Sequence, residues 1–246
     1  TCAILNDASV SCWGFGADGR LGGGGTTEHQ TTPILTSSLG VGRTVALSER
    51  DLDGDGILNI FDSTPYPPNP LPQRNVPGFQ EGSIFTNSTL SAGETHTCTI
   101  LDNGSVSCWG ANEGYGQLGY GGTLDRNSPT QTSNFGAGRT AVAISSGSSH
   151  TCVILDDGSI SCWGFNGNGR LGDGTTVDRN TPTQSLSLGI GRTAVAISAG
   201  NEHTCAVLDD GSVSCWGANW AGNLADGTTT DKSAPTKTLS LGVGRT

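Results

Sequence analysis

Short apolar runs broken by turn residues set the pattern of this chain. TAVAIS at Thr193–Ser198, HTCAVL at His203–Leu208 and VSCWG at Val213–Gly217 gather β-branched, aromatic and other strand-forming residues over five or six positions. Gly, Asn and Asp separate these runs, so they predict short β-strands joined by tight turns. Between the second and third runs stands Asp209-Asp210-Gly211-Ser212, and Asp156-Asp157-Gly158-Ser159 takes the same place earlier in the chain. Each supplies a glycine where a hairpin needs positive φ. In the first copy the turn reads Asp7-Ala8-Ser9. Alanine in a left-handed slot costs roughly 1 kcal/mol, so that hairpin is expected to be the weakest.

The runs belong to an internal repeat. HTCTILDNGSVSCWG begins at His96, HTCVILDDGSISCWG at His150 and HTCAVLDDGSVSCWG at His203, and TCAILNDASVSCWG opens the chain. Cys98 to Cys152 is 54 residues and Cys152 to Cys205 is 53, whereas Cys2 to Cys98 is 96, so one unit carries about 43 extra residues. Matching VALS at Val45–Ser48 to VAIS at Val195–Ser198 places the extra segment at 49–91. The units are read as repeat 1 at 1–48, the insertion at 49–91, and repeats 2, 3 and 4 at 92–144, 145–197 and 198–246. Thr1 falls one residue inside the His-Thr-Cys run, and the closing Gly244-Arg245-Thr246 matches the residues just before Ala194. An arc cut from a larger structure is therefore expected. The absence of methionine agrees with a processed or excised start.

All eight cysteines fall in pairs ten residues apart: Cys2/Cys12, Cys98/Cys108, Cys152/Cys162 and Cys205/Cys215. If Cys98 faces Cys108 across a hairpin centred on Asn103, Ile100 faces Val106. Opposed residues have Cβ atoms about 4.5–5.5 Å apart, close to disulfide geometry. Each such loop contributes on the order of 2–3 kcal/mol in the chain-entropy model. Zinc is the competing chemistry, since His, Cys and Cys recur together. A structural site needs four ligands, and a unit offers only three, of which the histidine is not repeated in the visible first copy. Disulfides place the chain in an oxidising compartment, and an extracellular or cell-surface location is expected.

Composition narrows the functions. Lys and Arg number 12 against 22 Asp and Glu, a formal charge of −10, which repels phosphate backbones and argues against nucleic acid. No apolar run reaches bilayer length, so no membrane insertion is expected of this segment. Gly14-Phe15-Gly16-Ala17-Asp18-Gly19 and Gly167-Asn168-Gly169-Arg170-Leu171-Gly172 match a dinucleotide fingerprint. Neither leads from a strand into a helix, and both read as loops of the repeat.

HTCAVLDDGSVSCWG, with LGDGTT at Leu171–Thr176, resembles the repeat of the regulator-of-chromosome-condensation family over about 200 of the 246 residues. The resemblance implies an all-β fold, a β-propeller of four-stranded blades that usually number seven. Four units then make an arc of a larger ring, or less readily a closed four-bladed one. The paired cysteines are similar to secreted prokaryotic versions. The family includes exchange factors, ligase-associated domains, receptors and inhibitors, so the fold does not select an activity.

The insertion opens with DLDGDGILNIFD, in which Asp51, Asp53, Asp55, Asn59 and Asp62 take positions 1, 3, 5, 9 and 12 of a calcium loop. Gly56 takes position 6 and Ile57 offers its carbonyl at position 7. The pattern resembles thrombospondin type 3 repeats, and calcium is the expected cofactor. Asp62 in place of Glu shortens the reach at the last position.

What repeats is read as scaffold: Trp13, Trp109, Trp163 and Trp216 in one slot, His96, His150 and His203 in another, and a basic slot at His29, Arg126, Arg179 and Lys232. What differs is where a specific contact would lie. Trp220 and the lengthened Glu113-Gly114-Tyr115 loop stand where other copies hold Gly167, Asn168, Ala17 and Asp18, and loop-tip aromatics anchor interfaces. No nucleophile, base and stabiliser converge in any motif, so no enzyme is expected. The expected function is a binding or adhesion module for a protein or glycan. An architectural spacer is the alternative, and guanine-nucleotide exchange a remote one.

Overall fold

The computed structural model describes residues 2–4, 9–15, 21–22, 29–37, 39, 89–112 and 114–239. The calcium-loop residues 51–62, the Asp7-Ala8 turn and Glu113 lie outside them. The described strands are β1 (Cys2–Ile4), β2 (Val10–Phe15), β3 (His29–Leu35), β4 (Leu90–Ala92), β5 (His96–Ile100), β6 (Val106–Gly110), β7 (Arg126–Gln131), β8 (Ala141–Ser146), β9 (His150–Leu155), β10 (Ile160–Gly164), β11 (Arg179–Gln184), β12 (Ala194–Ala199), β13 (His203–Leu208), β14 (Val213–Gly217) and β15 (Lys232–Lys237). They form antiparallel meanders: β4–β7, β8–β11 and β12–β15 are four-stranded, and β1–β3 supply three strands among the described residues. These are blades 1 to 4, in chain order, of a β-propeller.

Local chemistry sets the register. Cys98 faces Cys108 and Ile100 faces Val106 across β5 and β6, and the equivalent pairs align in the other hairpins. The turn glycines Gly104, Gly158 and Gly211 have φ of 76°, 76° and 79°, the conformation that glycine adopts without steric cost. The structure joins Cys2–Cys12, Cys98–Cys108, Cys152–Cys162 and Cys205–Cys215, with Cα atoms 4.0–4.1 Å apart.

The sheets correct the expected unit boundaries. Positions 144 and 197 fall inside β8 and β12, and 91 inside β4. Blades 3 and 4 begin with the Ala-Val-Ala-Ile-Ser strand, most of which the sequence period places at the end of the preceding unit. A sequence period has no intrinsic origin, whereas the backbone ladder does.

The inner strands of blade 3 bury both faces because a blade covers each side of it. Val153 and Leu155 pack with Ile100, Val106 and Leu118 of blade 2. Cys152 and Ile154, on the opposite face of the same strand, pack with Ala206, Leu208 and Trp216 of blade 4. Side chains alternate across a strand, so β9 is buried along its whole length and reads in sequence as a continuous apolar run.

Candidate functional site at the blade junctions and loop ends

The repeated His, Thr and Trp build one junction between successive blades. Trp163 Nε1 donates to the Gln117 carbonyl at 2.8 Å, and Trp216 Nε1 to the Arg170 carbonyl at 2.9 Å. The same two carbonyls accept the Thr151 and Thr204 hydroxyls at 3.1 and 2.9 Å. With its single proton committed, each threonine oxygen accepts from a histidine of the preceding blade: His96 Nε2 lies 2.8 Å from Thr151 Oγ1 and His150 Nε2 lies 3.0 Å from Thr204 Oγ1. Both rings therefore carry a proton on Nε2. Their Nδ1 atoms are buried without a hydrogen-bond partner. Burial lowers the His96 pKa to about 4. It lowers that of His150 to about 3, with further lowering from the Arg170 charge and the neighbouring histidines.

The indoles of Trp109, Trp163 and Trp216 are fully buried, in keeping with a scaffold role. Each lies against a positive-φ glycine of the preceding blade. A Cβ built on Gly22, Gly119 or Gly172 would stand 2.8, 2.6 or 2.8 Å from the Nε1 of Trp109, Trp163 or Trp216.

The basic slot is neutralised locally. Arg179 pairs with Asp173 at 2.8 Å and Lys232 with Asp226 at 3.3 Å. In blade 2 Tyr120 replaces that aspartate, and the Arg126 guanidinium stacks 4.4 Å over its ring. Chiefly through the hydrogen bond from the Thr228 hydroxyl, the Asp226 carboxyl is held down at about 2.

Variable residues gather at the ends of the blades where β6, β10 and β14 finish. Tyr115 packs on Phe165, ring centroids 4.5 Å apart, and the Arg170 guanidinium covers the same ring at 4.5 Å. Arg170 is itself buried. It donates to the Asn201 carbonyl at 3.2 Å and to Asn168 Oδ1 at 2.7 Å, and Asn168 donates to Asp231 at 2.9 Å. A polar and aromatic strip thus runs from blade 2 to blade 4. Trp220, on the blade 4 loop at this end, is 73% exposed, and Tyr115 is 40% exposed. Phe165 and Arg170 were missed in the sequence. They recur in sequence as Phe15 and Arg20 of the first copy, whereas blades 2 and 4 hold Ala111 and Gln117, and Ala218 and Asn223, in those slots, so repetition alone reads them as scaffold.

The model for the "Regulator of chromosome condensation (RCC1) repeat" matches residues 103–154 and 157–207. A second model of the same repeat matches 88–117 and 141–170. The chain carries RCC1 repeats. This RCC1 chain is 38% identical over 149 residues to the ultraviolet-B receptor UVR8 of Arabidopsis thaliana, covering 60% of this chain and 33% of the receptor. It is 27% identical over 255 residues to the human E3 ubiquitin-protein ligase HERC2, covering 97% of this chain and 5% of the ligase. The chain therefore spans a third or less of these relatives. Among solved structures, human WBSCR16 superposes with a TM-score of 0.68 at 18% identity, over 97% of this chain and 50% of that one. Yeast RCC1 (Prp20), solved with Kap60 bound, gives 0.55 at 16% identity over 98% and 59%. These neighbours share the propeller fold.

Proposed function

We propose that this RCC1 chain is a non-catalytic, extracytoplasmic binding module that grips a protein partner through the loop ends carrying Tyr115 and Trp220. One observation carries the reading: Trp220 is 73% exposed in a loop slot that Gly167 fills in blade 3, whereas Trp109, Trp163 and Trp216 are buried. A large aromatic held in water at a loop tip, at the same end of the blades as the Tyr115–Phe165 pair, has the character of an interface anchor. A protein partner is favoured over a glycan because yeast RCC1 is known bound to Kap60. Immobilised chain is expected to retain a defined protein from a mixture of secreted and surface proteins, and the Trp220→Ala/Tyr115→Ala double variant to lose about tenfold or more of that retention. Equal retention by both would leave the spacer reading in its place.

The four hairpin disulfides support the compartment part of the proposal, since such bonds persist in oxidising surroundings. Calcium at Asp51, Asp53, Asp55, Ile57, Asn59 and Asp62 is part of the proposal on sequence grounds. Non-reducing peptide mapping of chain made in an oxidising host is expected to give four within-hairpin cross-links and calcium-dependent protection of residues 51–62. Free thiols would remove the compartment argument, and protection indifferent to calcium would remove the metal.

A further inference from the structure

Among the described residues, nothing covers the side of blade 4 that faces away from blade 3. In blade 3 the residues facing the next blade, Cys152, Ile154 and Ile160, are 0–2% exposed. Their counterparts Cys205, Val207 and Val213 are only half-buried. The receiving groups of the junction recur on this side: the Asn223 backbone stands in the place of Gln117 and Arg170, and His203 in that of His96 and His150.

One element of the junction does not recur. Where Gly22, Gly119 and Gly172 give the next blade's indole its space, blade 4 has Ala225. Ala225 keeps the backbone of its siblings, with a φ of 50°. Its N–H donates to the Gly222 carbonyl at 3.0 Å, as Gly119 does to Gly116 and Gly172 to Gly169, both at 3.0 Å. Its carbonyl accepts from Leu239 at 2.8 Å, as that of Gly172 accepts from Leu186 at 2.8 Å. The alanine Cβ therefore lies where an incoming indole would lie. At the two later junctions, Trp163 and Trp216, the indole cannot retreat freely: its Nε1 is bonded at 2.8–2.9 Å to the carbonyl two residues before that glycine.

We infer that the open side of blade 4 receives a further blade of this repeat whose side chain in the indole slot is smaller than tryptophan, and that Ala225 is the residue that makes this selection. The surface continues an interface already built twice between blades 2, 3 and 4, which identifies the occupant as a blade. The half-buried apolar face shows what the occupant would cover. The alanine cannot be attributed to turn geometry, because glycine satisfies the same turn in the other copies at lower conformational cost.

The test extends the full chain by a second copy of residues 194–239 placed directly after Thr246, which continues the repeat in register. The added blade carries either tryptophan or leucine in its indole slot, and each version is made on the natural chain and on A225G. Amide exchange in β13 and β14 is the readout, with β9 and β10 as the internal control for folding of the host. On the natural chain the leucine blade is expected to slow exchange about tenfold or more, and the tryptophan blade to leave it unchanged. On A225G the tryptophan blade is expected to protect to the same degree. Equal protection of both hosts by the tryptophan blade overturns the selection by Ala225. Failure of the leucine blade to protect the natural chain overturns the proposal that this side receives a blade.

Discussion

Trp163→Ala is expected to lower the stability of the chain by about 3–5 kcal/mol, the usual cost of truncating a large buried aromatic. The indole is completely buried and packs with Cys98, Ile100, Val106 and Leu118 of the preceding blade. It also donates to the Gln117 carbonyl, so the substitution removes one of that group's donors at the same time as it opens a cavity. Urea unfolding monitored by circular dichroism measures the loss. The same truncation at Trp220, which is 73% exposed, is expected to change stability by no more than about 0.5 kcal/mol. Comparable costs at the two positions would contradict the division into scaffold and contact tryptophans.

Stability is expected to fall steeply as the pH drops below about 6.5. His96 and His150 titrate near 4 and 3 in the folded chain and near 6.5 when unfolded. The unfolded state therefore binds more protons throughout that interval, and the contribution of each ring is complete above pH 6.5 and is lost as the pH falls toward the folded value. Each fully linked histidine changes stability by about 1.4 kcal/mol per pH unit. Melting temperatures measured from pH 7.5 to 4.5 are expected to drop progressively, and the His150→Gln variant to show a shallower slope with a lower starting value. The carboxylates act in a separate window: Asp226 titrates near 2 in the folded chain, so its contribution is lost only below the usual carboxylate range near 4. A melting temperature flat from pH 7.5 to 4.5 would mean that the two rings open to water more easily than their burial implies.

Much of the blade could be read before any coordinates, because the information is local. The ten-residue cysteine spacing determines the hairpin register once Cys98 is set opposite Cys108, and the observed pairing of Ile100 with Val106 follows. The glycines at 104, 158 and 211 announce their own turns. The junctions were not legible in the same way. Gly172 and Trp216 meet across two blades, and nothing near either residue in sequence marks the contact. Repetition shows that a slot matters but not which slot it touches. The same limit hid Phe165 and Arg170. Each is unremarkable in its own loop and becomes informative only when the Phe165 ring is seen against Tyr115 and the Arg170 guanidinium against Phe165. The repeat boundaries failed for a different reason, since a period can be cut anywhere and only hydrogen bonding assigns β8 to blade 3.

The run of the strands also separates two kinds of attachment. Thr36, ahead of the insertion, and Thr89, near its end, are held at the hairpin-turn end of their blades: the Thr36 N–H donates to the Val10 carbonyl, and the Thr89 carbonyl accepts from Ile100. Tyr115 and Trp220 follow β6 and β14, at the opposite end. A five-residue strand such as β6 spans roughly 17 Å, so Thr36 and Thr89 stand a full strand length away from the loops that carry the two exposed aromatics.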